Sequence, residues 1–111
     1  MQKHIYSVDE IRRIIFPIAE KYHLPAVYLF GSYARGEATA DSDIDFIVDT
    51  SQTELKSLFS LGALYIDFEE ALHKKIDLIT EQSLHQYTTR ESDHVFRKNV
   101  QRERKRIYGT I

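Results

Sequence analysis

The stretch from Val27 to Val48 constrains the chain most. An apolar run, Val27-Tyr28-Leu29-Phe30, leads directly into Gly31-Ser32-Tyr33-Ala34-Arg35-Gly36. After a short polar spacer a second apolar run, Ser42-Asp43-Ile44-Asp45-Phe46-Ile47-Val48, carries two aspartates one residue apart. The pattern predicts a strand over Ala26 to Phe30, a turn, a short helix and a second strand. Alternation along that strand places Asp43 and Asp45 on one side with Cα atoms roughly 6.5–7 Å apart. Two carboxylates so placed bracket hard divalent cations. Ile44, Phe46 and Val48 face the other side, where covering helices bury them. Gly31 permits a close backbone approach that a side chain would block. Ser32 offers a hydroxyl and backbone amides at a helix start, where the dipole favours anions such as the terminal phosphates of a nucleoside triphosphate. Two alternatives stand beside this. Ser32 can simply cap the helix, and Arg35 can either steady phosphates or pair with an acid of the Glu37 to Asp41 loop.

The flanking segments read as helices and one more strand. Ser7-Val8-Asp9-Glu10 is a capping box, and Val8, Ile11, Ile14, Ile15, Ile18 and Tyr22 recur at helical spacing behind it. Pro17 lies within that stripe and predicts a kink. His23-Leu24-Pro25 ends the helix. Ser51-Gln52-Thr53-Glu54 reads as a second capping box that opens a long helix with Leu55, Leu58, Phe59, Tyr65, Phe68 and Leu72 as its core stripe, ending near His73-Lys74-Lys75. Ile76-Asp77-Leu78-Ile79 predicts a third strand. An acid in an apolar strand is costly unless paired, metal-bound or facing a cleft. Asp77 is therefore a third functional carboxylate, the partner of Lys74 or Lys75, or part of a strand-end turn. Ser92 or Asp93 suits the cap of a last helix with Phe96 and Val100 as core contacts, followed by a short edge strand at Ile107-Tyr108. The basic residues Arg97, Lys98, Arg102, Arg104, Lys105 and Arg106 form either a solvated face or a docking surface for an acidic partner.

Composition narrows the chemistry. At 111 residues the chain reads as a single domain spanning 1–111, too short for a separate substrate-binding domain. The absence of cysteine excludes disulfides, thiolate metal sites and a cysteine nucleophile. No apolar run suits a signal peptide or a membrane span, which leaves the cytoplasm as the expected location. The net charge of −2 argues against a nucleic-acid substrate. Five histidines show no pair spacing, which argues against a histidine metal site.

Gly31-Ser32, Arg35-Gly36 and Ser42-Asp43-x-Asp45 together resemble the signature of the DNA polymerase β-type nucleotidyltransferase superfamily. Within it, chain length and the Arg-Gly element resemble the minimal nucleotidyltransferases, many of which are antitoxins paired with HEPN-domain ribonuclease toxins. The resemblance implies an α/β fold of a small mixed sheet, with helices packed on one face and a metal and nucleotide cleft on the other. It implies Asp43, Asp45 and Asp77 as catalytic metal ligands for two Mg²⁺ ions, and Gly31, Ser32, Arg35 and Ser42 as nucleotide-binding residues. The implied reaction is AMP transfer from ATP to an acceptor hydroxyl, with a tyrosine of a cognate HEPN toxin as the first expectation. A masking antitoxin without catalysis, or transfer to a small molecule such as an aminoglycoside, are the alternatives.

Overall fold

Helix α1 starts where the capping box places it. The computed structural model describes residues 4–51, 53, 58–84 and 91–109. In it the Ser7 hydroxyl accepts from the Glu10 amide at 3.1 Å, and the Glu10 carboxylate accepts from the Ser7 amide at 2.8 Å. Helix α1 (Val8–Lys21) buries Ile11, Ile15 and Ala19, with Val8, Ile14, Ile18 and Tyr22 at the margin of the core. Pro17 lies inside the helix on its exposed side, and α1 runs through it without a break.

The remaining elements are β1 (Ala26–Phe30), α2 (Gly31–Arg35), β2 (Ile44–Asp49), α3 (Leu58–Leu72), β3 (Ile76–Thr80), α4 (Glu81–Leu84), α5 (Glu91–Glu103) and β4 (Lys105–Gly109). The four strands form one sheet in the order β3-β2-β1-β4. Strands β2 and β3 are parallel, as their connection through a helix requires, and the other pairs are antiparallel. The mixed α/β fold is the one the motif implies.

Helices α1 and α3 cover one face, over Val27, Leu29, Ile44, Phe46, Val48 and Ile76. Phe46 meets Phe68 of α3 edge-on at 4.8 Å between ring centroids. Removing the second ring with Phe68→Ala is expected to cost about 3–5 kcal/mol, the range for a large buried aromatic. Urea unfolding followed by circular dichroism checks this.

The second face is not left wholly to a cleft. Tyr28 and Phe30 of β1, Ile47 of β2 and Ile79 of β3 pack there with Leu84 of α4 and Val100 of α5. Arg104 fixes that packing, since its guanidinium pairs with Glu81 at 2.6 Å and lies 4.2 Å over the Tyr28 ring. This takes Arg104 out of the expected basic docking face, whereas Lys98, Arg102, Lys105 and Arg106 are exposed.

Helix α3 departs from its expected stripe. Leu64, Phe68 and Leu72 are buried with Leu61 and Tyr65 beside them, whereas Phe59 is 92% exposed. Phe59 precedes Phe68 by nine residues, about two and a half turns, which puts it on the opposite side of the helix. The expected capping box at Ser51–Glu54 and the core position Leu55 fall partly or wholly outside the described residues. Ser51 lies in a turn, with its amide bonded to Asp49. Ser92 and Asp93 lie inside α5, the segment just before Glu91 falls outside the described residues, and so does the side chain of Phe96. Among the described residues no helix is long and apolar enough to cross a membrane.

Candidate active site

Register brings the acids together. Asp45 lies opposite Phe30 in the antiparallel β1–β2 pair and opposite Asp77 in the parallel β2–β3 pair. Both acids share strand parity with Ile47 and Ile79 and so project from the second face. Asp43 stands one residue before β2, at the mouth of the strand.

The chain turns sharply where β1 meets α2, and Gly31 makes this possible. Its φ is +72°, and a Cβ there would sit 2.2 Å from Asp45 Oδ2. The backbone conformation favours glycine, and any larger residue would also push the Asp45 carboxylate aside. The Asp45 carboxylate rests directly against the turn that leads into α2.

Electrostatics mark the same spot. Asp45 has its pKa pushed up to about 6, first by burial, then by a hydrogen bond to Asp77 and by the charges of Asp77 and Asp43, with Arg35 acting in the opposite sense. These are the signs of negative charges that repel one another in a half-buried site, a state that a cation relieves. The donors are all carboxylate oxygens, which fits a hard ion such as Mg²⁺. Among the described residues no three such side chains already converge on one point as a finished metal cage. Asp45 and Asp77 form the close pair, and Asp43 acts on Asp45 through its field.

The other expected residues divide. Ser32 is the second residue of α2, and the N-cap is Phe30, which makes no side-chain cap bond. The capping alternative for Ser32 is thus set aside. Ser32→Ala is accordingly expected to change stability by no more than about 0.5 kcal/mol, the range for a substitution that breaks no cap or core contact, while weakening ATP binding. Thermal melting beside nucleotide titration checks both. Arg35 pairs with Glu37 at 2.9 Å and with Glu103 of α5 at 3.3 Å, so its loop-pairing role is realised. Its charge still reaches Asp45. Ser42 closes the spacer turn by accepting from the Thr39 amide at 2.9 Å. Lys74 does not answer Asp77, because its ammonium donates to the Ala40 carbonyl at 2.7 Å.

Two neighbours of the site were not legible in the sequence. Tyr65, read there as core alone, donates to the Ile76 carbonyl at 3.0 Å, next to Asp77. Burial first, then the charges of Glu69, Asp77 and Asp43, raise its phenol pKa. Glu103 reaches Arg35 across sixty-eight positions of sequence, and no local signal announces it. A groove lined by Arg12, Phe16, Leu24 and Tyr108 lies between α1 and β4 at the far end of β1. It holds none of the three acids, and the chemistry belongs to the carboxylate end.

The family model described as Polymerase beta, Nucleotidyltransferase matches residues 13–110. The chain belongs to this nucleotidyltransferase family. It is similar to an inferred protein adenylyltransferase of Methanocaldococcus jannaschii, 42% identical over 79 residues that make up 71% of this chain and 83% of that one. It is also similar to the protein adenylyltransferase MntA of Thermococcus cleftensis, 37% identical over 82 residues, 70% of this chain and 81% of the relative. In three dimensions this nucleotidyltransferase resembles a chain of a toxin–antitoxin structure with AMP-PNP, at a TM-score of 0.67 and 27% identity, covering 89% of this chain and 73% of the other.

Proposed function

We propose that this nucleotidyltransferase, as one minimal domain over 1–111, transfers AMP from ATP to a tyrosine hydroxyl of a cognate HEPN ribonuclease toxin and thereby acts as its antitoxin. The observation that carries the reading is the register pairing of Asp45 with Asp77 beside the Gly31 turn. The likeness to MntA and to a toxin–antitoxin structure with AMP-PNP supports a protein acceptor. With ATP as donor and a ribonuclease toxin as acceptor, the reaction belongs in the cytoplasm.

Asp43, Asp45 and Asp77 would hold two Mg²⁺ ions, which supply charge neutralisation at the phosphates and at the attacking and leaving oxygens. The chain's own groups do the positioning. The Gly31 turn and Ser32 hold the terminal phosphates, and Arg35 and Ser42 support the nucleotide from α2 and the spacer turn. The acceptor oxygen attacks the α-phosphorus, the bond from that phosphorus to the β-phosphate oxygen breaks, and pyrophosphate leaves. Asp77, the exposed member of the pair, takes the acceptor proton. Catalysis is thus mainly orientation and charge stabilisation.

The test is the intact mass of the purified toxin after incubation with the protein, ATP and Mg²⁺. Addition of AMP units is the expected result. A toxin that is neutralised with its mass unchanged would identify a masking antitoxin instead.

A further inference from the structure

The spacer that carries Asp43 is a short turn closed on itself. The Thr39 amide donates to Ser42 Oγ at 2.9 Å, the Ser42 amide to the Thr39 carbonyl at 3.1 Å, and the Asp41 amide to Thr39 Oγ1 at 3.3 Å. Such a turn is rigid within itself, yet these bonds do not fix where it stands relative to β3. Lys74 supplies that link. Its ammonium donates to the Ala40 carbonyl at 2.7 Å in a partly buried position, a short charge-assisted bond.

Lys74 belongs to the turn that leads into Asp77. His73 just before it takes a left-handed conformation at φ 51° as the chain leaves α3. Lys75 just after it accepts from the Ile44 amide at 3.3 Å, next to the register pair Asp45 and Asp77. One lysine therefore spans from the segment ahead of Asp77 to the segment ahead of Asp43. Asp45 and Asp77 are already set by the β2–β3 register. Asp43 lies one residue outside the ladder: the bond from the Ile44 amide to the Lys75 carbonyl holds its C-terminal side, and its N-terminal side depends on the turn and on what holds the turn.

We infer that Lys74 is a positioning residue for the proposed metal site: by tying the Asp43 turn to the α3–β3 junction, it sets Asp43 against the Asp45–Asp77 pair. This rests on the metal-holding role proposed for the three acids. Lys74 touches neither the nucleotide nor the reacting atoms in this account.

The test uses Mn²⁺ as probe, titrated calorimetrically into the ATP-free protein, together with amide exchange over residues 39–43. Lys74→Met keeps the stem and removes the donor. It is expected to weaken Mn²⁺ binding by up to about 10-fold, the low end of the range for loss of a group that bonds a metal ligand directly, because Lys74 bonds the Asp43 turn and not Asp43 itself, and to speed exchange at Thr39 and Ser42. Lys74→Arg is expected to restore most of the affinity, and Lys98→Met, on the exposed side of α5, to change nothing. Should the methionine variant not fold, Lys74→Gln replaces it. Asp45→Asn separates the role of Lys74 from the metal-holding role of the acids. If Asp45→Asn abolishes Mn²⁺ binding while Lys74→Met leaves it intact, the inference is overturned and the metal site stands. If neither variant affects Mn²⁺ binding, both fall. Lower thermal stability in Lys74→Met with unchanged Mn²⁺ affinity would make the lysine a structural tie only, which also overturns the inference.

Discussion

Asp45→Asn is expected to lower AMP transfer by about 10³-fold or more, the scale of losing a central group of an electrostatic site, and at the same time to make the metal-free protein more stable. The two effects have one origin. In the fold, burial and the neighbouring charges raise the Asp45 pKa from 3.8 to about 6. An acid whose folded pKa lies above its unfolded value favours the folded state when protonated. Its contribution is therefore most favourable below about pH 4 and is lost as pH rises through about 6. At pH 7.5 and without divalent cation, wild type carries the repulsion in full, and the asparagine variant does not. Thermal melting in chelator should give the variant the higher Tm at pH 7.5 and a smaller gap at pH 4. Added Mg²⁺ should raise the Tm of wild type and leave that of Asp45→Asn nearly unchanged. Equal cation responses in the two proteins would remove Asp45 from the proposed metal site.

Asp77→Asn separates catalysis from docking. The substitution preserves shape at an exposed position of β3 but removes the proposed proton acceptor and one anionic oxygen. Transfer is expected to fall by about 10²–10⁴-fold, the range for general-base assistance, while the toxin complex still forms. Intact mass reads the chemistry, and size-exclusion chromatography reads the complex. If transfer survives in Asp77→Asn, the acceptor is activated elsewhere. If wild type adds no nucleotide and both proteins neutralise the toxin equally, binding alone accounts for the antitoxin action. The two substitutions also differ in a useful way: Asp45 is half-buried and Asp77 is exposed. Both remove a charge from the repelling pair and should stabilise the metal-free protein above about pH 6, with the larger gain expected for Asp45, where burial adds to the repulsion.

The local motifs determined much of this protein. The Ser7–Glu10 capping box, the apolar run into Gly31-Ser32 and the strand that carries Asp45 are each complete within a few residues, and each forms as its chemistry dictates. The third strand around Asp77 was legible because branched apolar residues surround a single acid. Tertiary structure decided what depends on register and on distant partners. Phe59 and Phe68 have the same side chain on the same helix, and only the direction of the sheet tells which is covered. Arg35 reads equally as a phosphate ligand or an ion-pair residue, and the fold supplies Glu103 from α5 as a partner that no spacing reveals. Lys74 and Asp77 are close enough in sequence to suggest a salt bridge. The α3–β3 turn instead sends the ammonium to the Ala40 carbonyl. Above all, Asp45 and Asp77 are thirty-two positions apart, and their pairing follows from the parallel β2–β3 register. A hydrogen-bond ladder fixes that distance, because side chains from two strands meet only when the backbones between them are aligned.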